Sequence, residues 1–554
     1  MQPFVNNEAA PSSTPLEPRS PGGNGLRSTL ASAIIGFLPI AFVWLYKVVL
    51  HPRPFWVFYY DPETIYFYGG ASILRHAVPW NLDNPGLPLH ALSAAVLAVT
   101  GTSPLLLDRF RLVAYCVAAV LTFGAMLLLS HTLLSRLSIP YRIVALWTFF
   151  LCPMSLEYIS VWSPELFYLP FGSLVLAAAS TCFAGNASAR RFFCAGLFIG
   201  VAVALKFTFL AWVPAFFLAL LVHSTARNVR FRALLLPGGV ASGFLVGTGF
   251  LVTRYKRMFS WLLNLATHSG SYGSGPADTP SSGELYANLM VAISSAKAWH
   301  LWLLFLALVA AYGLWKSRRR GRADAWGESL FLFFLCATAA TYAMALRHFG
   351  LRYLLPSGVA AIALAALSLR ILADSAPPRV AAVIFLVAAV LLGKHIVLDL
   401  NTHDIRIEES RTVRGAIERE INKHSPPGRK AVTIYSFRAP IPSFALRINT
   451  DRPEDQVAIS QAYPYEGHLS WDNRIVFPAG ASHWDIAVLT DSARKTFPDP
   501  IGPAFSTIGP FVIAARANPL SSHAYRRPSI ERLLPHAFVR EKALEGGVSG
   551  KQKG

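Results

Sequence analysis

Acidic residues are scarce in this sequence. Its 554 residues hold 30 Asp and Glu against 50 Lys and Arg, and charged side chains of both signs make up only 14% of the chain. Ordinary soluble domains carry about a quarter, so a water-bathed surface along the whole length is excluded. Cysteine is scarce as well. The 5 cysteines, Cys116, Cys152, Cys182, Cys194 and Cys336, all fall in apolar segments and none in the polar C-terminal part. That pattern excludes a disulfide framework and a C-x-x-C metal site, and the thiols read as buried structural groups. Neither a His-Glu-x-x-His helix nor a Walker-type Gly-x-x-x-x-Gly-Lys loop occurs, which argues against zinc proteolysis and ATP-driven transport.

What the sequence has instead is apolar surface and positive charge. Hydrophobic residues make up 53% of it, mean hydropathy is +0.42 and the net charge is +20. A soluble nucleic-acid binder would spread its basic residues over a hydrated face, so no nucleic-acid partner is expected. The combination reads as a multi-pass membrane protein. A bilayer core takes about 20 apolar residues as helix. The runs that qualify lie near 29–50, 107–133, 142–156, 164–184, 192–206, 207–222, 233–253, 298–315, 328–346, 353–371 and 379–399, about eleven in all.

Residues 1–28, rich in Pro, Ser and Gly, read as a disordered cytoplasmic tail rather than a cleaved signal. The loops with Arg136 and Arg142, Arg190 and Arg191, Arg227 to Arg232, Lys316 to Arg322, and Arg370 and Arg379 alternate with less basic ones. The positive-inside rule puts them in the cytoplasm. The N-terminus is then inside and the C-terminal part outside, at the outer face of an inner membrane. Arg254, Lys256, Arg257, Arg347 and Arg352 break the rule by falling on the outer side.

Three outer segments are long: 51–104, 254–297 and everything beyond 400. The first contains Leu87 to Val99, too short to span and interfacial by composition. The second includes a Gly-Ser-Pro-rich stretch, 269–283, expected to be a mobile loop. In the third, 404–424 reads as helix, followed by β-like runs at 431–437, 444–448, 486–490 and 511–515. The expected architecture is therefore a multi-pass α-helical membrane domain over 29–400, with a small extracytoplasmic α/β domain over 401–540. A disordered tail is expected at 541–554.

With so few acids in the membrane part, each can be inspected singly. Asp61-Pro62-Glu63 follows the first span. Its bland reading is a helix start, with Asp61 as N-cap and Pro62 at the first helical position. Arg75, Asp83 and Asn84-Pro85-Gly86-Leu87-Pro88-Leu89 follow in the same loop. Further on stand Glu157, Trp162-Ser163-Pro164-Glu165, Gly200 through Lys206, and Arg347-His348-Phe349-Gly350-Leu351-Arg352-Tyr353-Leu354-Leu355-Pro356. Lys206 and Arg352 also admit a bland reading, snorkelling from a span end. Trp56, Trp80 and Trp162 read as members of an aromatic belt.

In their order along roughly 55–360, these motifs resemble the GT-C superfamily of integral-membrane glycosyltransferases. The nearest likeness is to protein O-mannosyltransferases and lipid A aminoarabinose transferases. Two departures stand out: Asn84 occupies the place of a common histidine, and Glu165 that of a common aspartate. The resemblance implies transfer of a sugar from a polyprenyl-phosphate donor to a lipid, glycan or protein acceptor.

Asp61 would then be the base, and Glu63 would orient the acceptor or, with Asp61, hold a divalent metal. Arg352, Arg347, His348, Lys206 and Tyr353 would meet the donor phosphate. Arg75, Asp83, Glu157 and Glu165 would line the acceptor cavity. The chemistry fits independently: a phosphate is already a good leaving group, so one base on the acceptor hydroxyl suffices. A lipid or solute transporter predicts internal repeats and ionisable residues at mid-membrane depth. No repeat is seen, and the polar clusters lie at span ends. A non-catalytic assembly protein on the same scaffold predicts indifference to loss of Asp61.

Overall fold

The computed structural model describes residues 24–57, 61–79, 86–183, 188–223, 234–268, 277–278, 280–321, 324–347 and 350–424, and beyond these the strands and helix named below. Most of the sequence expectations become helices: α1 (Asn24–Leu45), α2 (Asp61–Leu74), α3 (Leu87–Thr100), α4 (Leu107–His131), α5 (Ile139–Phe150), α6 (Tyr168–Phe183), α7 (Ala189–Leu205), α8 (Trp212–His223), α9 (Leu235–Thr248) and α10 (Tyr255–Thr267). After them come α11 (Ser282–Ser295), α12 (Lys297–Arg319), α13 (Ala325–Arg347), α14 (Leu355–Ser375) and α15 (Pro378–His424).

Eight helical segments among the described residues are long and apolar enough to cross a membrane, counting short 3-10 turns joined to their helices. Of the eleven expected runs, three fall short. Those at 142–156, 192–206 and 207–222 form the shorter helices α5, α7 and α8. The reason is visible for α5: regular helix stops at Phe150 after 12 residues, and the chain beyond it continues in turns. The helical start at Asn24 also shortens the expected tail, and residues 1–23 lie outside the described part.

The bundle is organised around α14, in which every residue from Leu355 to Leu369 is buried. The tightest helix pair is α7 with α9. Gly196 and Gly200 on one, Gly239 and Gly243 on the other, repeat at four-residue spacing. A Cβ on Gly200 would lie 2.1 Å from the Val240 carbonyl oxygen, and one on Gly243 would lie 2.0 Å from that of Leu197. Two Gly-x-x-x-Gly faces thus let the backbones touch, the usual solution where lipid offers no hydrophobic drive between helices. This contact fixes the end of α7, where Lys206 stands.

Two expectations about buried groups need correction. Trp162 is fully buried, not part of a belt. Its ring packs edge-on against Phe110 and Phe167, and its Nε1 donates to Ser93 Oγ at 2.8 Å. Not all thiols are buried either. Cys152 and Cys182 are, but Cys116 is exposed on α4, and Cys194 and Cys336 are half-buried.

Helix α15 runs for 47 residues without a break. The expected span at 379–399 and the expected outer helix at 404–424 are one element. The composition turns polar near Asp399, but no Gly or Pro follows until Gly415, so nothing ends the helix there.

Past it lie β1 (Val432–Tyr435), helix α16 (Pro453–Ala462), β2 (Glu466–Leu469), β3 (Ile475–Val476), β4 (Ile486–Thr490), β5 (Ile501–Ile508) and β6 (Phe511–Arg516). They form one mixed sheet in the order β3-β2-β1-β4-β6-β5, with β1 parallel to β2 and to β4. The expected strand at 444–448 lies outside the described residues except for Leu446, which is buried. Its carbonyl accepts a 2.6 Å hydrogen bond from the Tyr68 hydroxyl, tying this part to α2. The 541–554 tail lies outside the described residues.

Candidate functional site

The loop after the first span folds into two helices, α2 and α3, which pack against each other. Their approach is close enough to require glycine: a Cβ on Gly69 would come within 1.9 Å of His90 Nδ1. Asp61 is the first residue of α2, as the helix-start reading expects, and its side chain lies outside the described residues. Asp83 and His348 also lie outside them.

Glu63, one turn into α2, is buried in a knot of donors. Its carboxylate meets Arg53 at 2.9 Å and Arg111 Nε at 3.2 Å. It accepts a short bond from the Tyr115 hydroxyl and another from the Trp162 backbone N–H at 3.3 Å. Arg111 in turn donates to the Arg53 carbonyl at 2.8 Å. Burial pushes the Glu63 carboxyl up, but Arg111 and Arg53, helped by the Tyr115 and Trp162 bonds, more than reverse this and hold it below its ordinary value. Glu63 was expected to orient an acceptor or a metal. The structure shows it engaged by two guanidiniums, which makes it a poor ligand for a cation. Among the described residues, no group of three or more His, Cys, Asp and Glu is placed to hold a metal ion.

Four of the expected site residues come together from three elements. Glu165 lies in the 3-10 turn that leads into α6, Lys206 just past α7, and Arg352 and Tyr353 in the turn before α14. Lys206 Nζ pairs with Glu165 Oε1 at 3.2 Å, and both side chains are buried. Lys206 and Arg352 both sit over the Tyr353 ring, 5.8 and 5.1 Å from its centroid. Arg352 also donates to the Tyr353 hydroxyl at 3.3 Å and hydrogen-bonds Tyr158. Burial pushes the Tyr158 phenol up, so it stays neutral near pH 7. Tyr168, bonded to Thr208 at 2.7 Å, closes another side. The Glu165 Oε2 atom is buried and carries no hydrogen bond. Two cations against one aromatic ring, beside a buried carboxylate, form a cluster suited to an anion.

The remaining expected residues lie apart from this cluster. Arg347 donates to the Asp278 carbonyl at 3.0 Å. Arg75 is exposed just past the end of α2. Glu157 pairs with Arg406 of α15 at 2.5 Å and lines a small crevice with Lys47, Arg53, Asp399 and His403. Arg254, Lys256 and Arg257 are exposed near exposed Phe259 and Leu263, as suits a helix at a membrane surface.

Sequence reasoning missed Arg53, Arg111, Tyr158 and the buried pair of Lys47 with Asp399 at 2.7 Å. Arg111 gave a signal, since a cation within an apolar span is expensive unless paired.

Several solved structures are similar to this chain in their overall course. ArnT from Cupriavidus metallidurans bound to undecaprenyl phosphate is 11% identical, with 91% of this chain and 100% of that chain covered and a TM-score of 0.48. The same protein in the apo state gives 13% identity, 89% and 99% coverage, and a TM-score of 0.49. The Archaeoglobus fulgidus oligosaccharyltransferase in the apo form gives 13% identity, 74% and 64% coverage, and a TM-score of 0.43. No family model and no curated protein matches the chain.

Proposed function

We propose that this protein is a polyprenyl-phosphate-dependent glycosyltransferase working at the outer face of an inner membrane. The observation that carries the reading is the convergence of buried Lys206 with half-buried Arg352 and Tyr353 beside Glu165 at helix ends. Cations at the end of a membrane helix bundle are where a lipid phosphate would present its charge.

In this reading Arg352 and Lys206 hold the phosphate of the donor. An acceptor hydroxyl attacks the anomeric carbon from the face opposite the phosphate. The new carbon–oxygen bond forms as the bond to the phosphate oxygen breaks, and the electron pair leaves on the phosphate. Asp61, at the start of α2, takes the acceptor proton. The anomeric configuration inverts, because a single displacement occurs. Glu63 contributes by anchoring α2 through Arg53 and Arg111. The acceptor is a lipid such as lipid A, an envelope polysaccharide or a secreted protein, and the C-terminal α/β part covers the site or selects among these.

Asp61→Asn tests the reading most directly. Loss of a positioned base costs about 10²–10⁴-fold in rate. The variant should insert normally yet transfer no measurable sugar from undecaprenyl-phosphate donors. Transfer near the wild-type rate would refute Asp61 as base. Reporter fusions at residues 320 and 540 should signal inside and outside; a cytoplasmic signal at 540 would reverse the topology. Mass spectrometry of envelope glycans from a strain without the protein would identify the missing sugar.

A further inference from the structure

A pocket built only to retain phosphate has no use for a buried carboxylate, yet Glu165 sits inside this one. Among the described residues, the charged groups acting on Tyr353 are Arg352, Lys206 and Glu165. Two cations and one anion leave a local charge of +1. The other titratable groups facing Glu165 are the tyrosines Tyr158 and Tyr168. Glu157, on the far side of Tyr158, is already paired with Arg406. Glu165 Oε1 holds Lys206, and Oε2 is buried without a hydrogen bond. Such an atom is costly to leave unsatisfied, and it lies where it weakens the attraction of the site for any anion.

We infer that Glu165 matches this pocket to the single negative charge of a phosphodiester, so that the doubly charged phosphomonoester left after transfer is released. The inference rests on the donor reading above. The charge balance supports it. The donor diester carries one negative charge. When the acceptor oxygen bonds to the anomeric carbon and its proton passes to Asp61, the phosphate departs with the electron pair and one further charge. A site of +1 neutralises the diester, whereas the second charge of the monoester would lose its hydration with no cation left to offset it, and the cost of desolvation rises with the square of the charge. Without Glu165, the same cations would hold the product more tightly than the substrate. Glu165 is thus a residue for product release, acting through the cations it offsets.

The test uses purified full-length protein in lipid nanodiscs with two probes. One is undecaprenyl phosphate, whose second ionisation lies near pH 6. The other is its methyl ester, a diester of fixed single charge without a sugar. In the wild type, undecaprenyl phosphate should bind more weakly as pH rises from about 5.5 to about 8, while the methyl ester stays level. In Glu165→Gln, undecaprenyl phosphate at the higher pH should tighten by at least about tenfold more than the methyl ester does. Wild-type affinity for undecaprenyl phosphate that rises through pH 6 would overturn the inference. So would a Gln variant that gains nothing selective for the monoester. The wild-type series needs no variant, so it decides even if Glu165→Gln misfolds. Arg352→Ala separates the two levels: unchanged binding of both probes would overturn the donor reading itself.

Discussion

Glu63 and Glu165 are both buried carboxylates facing cations, and they lie in neighbouring parts of the same bundle end, bridged by the chain from Trp162 to Glu165. Their surroundings differ. Glu63 meets two guanidiniums, a phenol and a backbone N–H, so both of its oxygens are engaged. Glu165 meets one ammonium and leaves an oxygen with no hydrogen bond. The first arrangement is complete without any ligand and fastens α2 to α4 and to the chain at Trp162. The second stays incomplete, and its cations face a pocket. Satisfaction, rather than burial or charge, separates the carboxylate that builds from the one that takes part in binding.

The contrast can be broken at several points. Glu63→Gln should have the largest effect on stability. Removing one partner from a buried ion pair costs about 3–5 kcal/mol, to be seen as a lower unfolding midpoint in detergent. The corresponding change at Glu165 should cost less, because fewer bonds are lost; equal losses would erase the distinction.

The pH profile sharpens the same point. The folded Glu63 carboxyl lies below its ordinary value, so its contribution is full above the unfolded carboxyl pKa and fades as pH falls through the folded value. Thermal unfolding followed from neutral pH downward should show this acid-side loss in the wild type. It should be absent from Glu63→Gln, and a parallel loss in that variant would count against the assignment.

Gly200→Leu should destabilise by about 1–3 kcal/mol through forced separation of α7 from α9. It should also weaken binding of undecaprenyl phosphate, because Lys206 rides on the end of α7. Arg406→Ala should change least: a modest loss of undecaprenyl phosphate affinity, by a few-fold, with the fold intact. Binding measured on the two variants ranks them, and the reverse order would mean that α15 matters more to the pocket than α7 does.

The grouping of Lys206, Arg352 and Tyr353 was legible in the sequence because each stands at the boundary of an apolar run, where such a side chain is conspicuous; Glu165 was expected with the acceptor cavity, and its pairing with Lys206 was not foreseen. The fate of Glu63 was not. Its partners Arg53 and Arg111 come from a loop and from within a span, and nothing in the linear order of residues records which cation a carboxylate will meet. Arg347 illustrates the opposite error. It adjoins the motif of Arg352 in sequence, yet it belongs to α13 and its side chain donates to the Asp278 carbonyl. Helix lengths were less legible: α5 lies in an apolar run that reaches 156, but its regular helix stops at Phe150.

Helix α15 has a mechanical consequence. At 47 residues it is about 70 Å long, and it is pinned part-way along by Lys47 on Asp399 and by Glu157 on Arg406. The middle of this rod is thereby tied to the short segment from Leu156 to Tyr158, so one stretch of chain joins the longest helix to the cation cluster. Lys47 also grips the Leu156 carbonyl there, and Tyr158 touches Arg352.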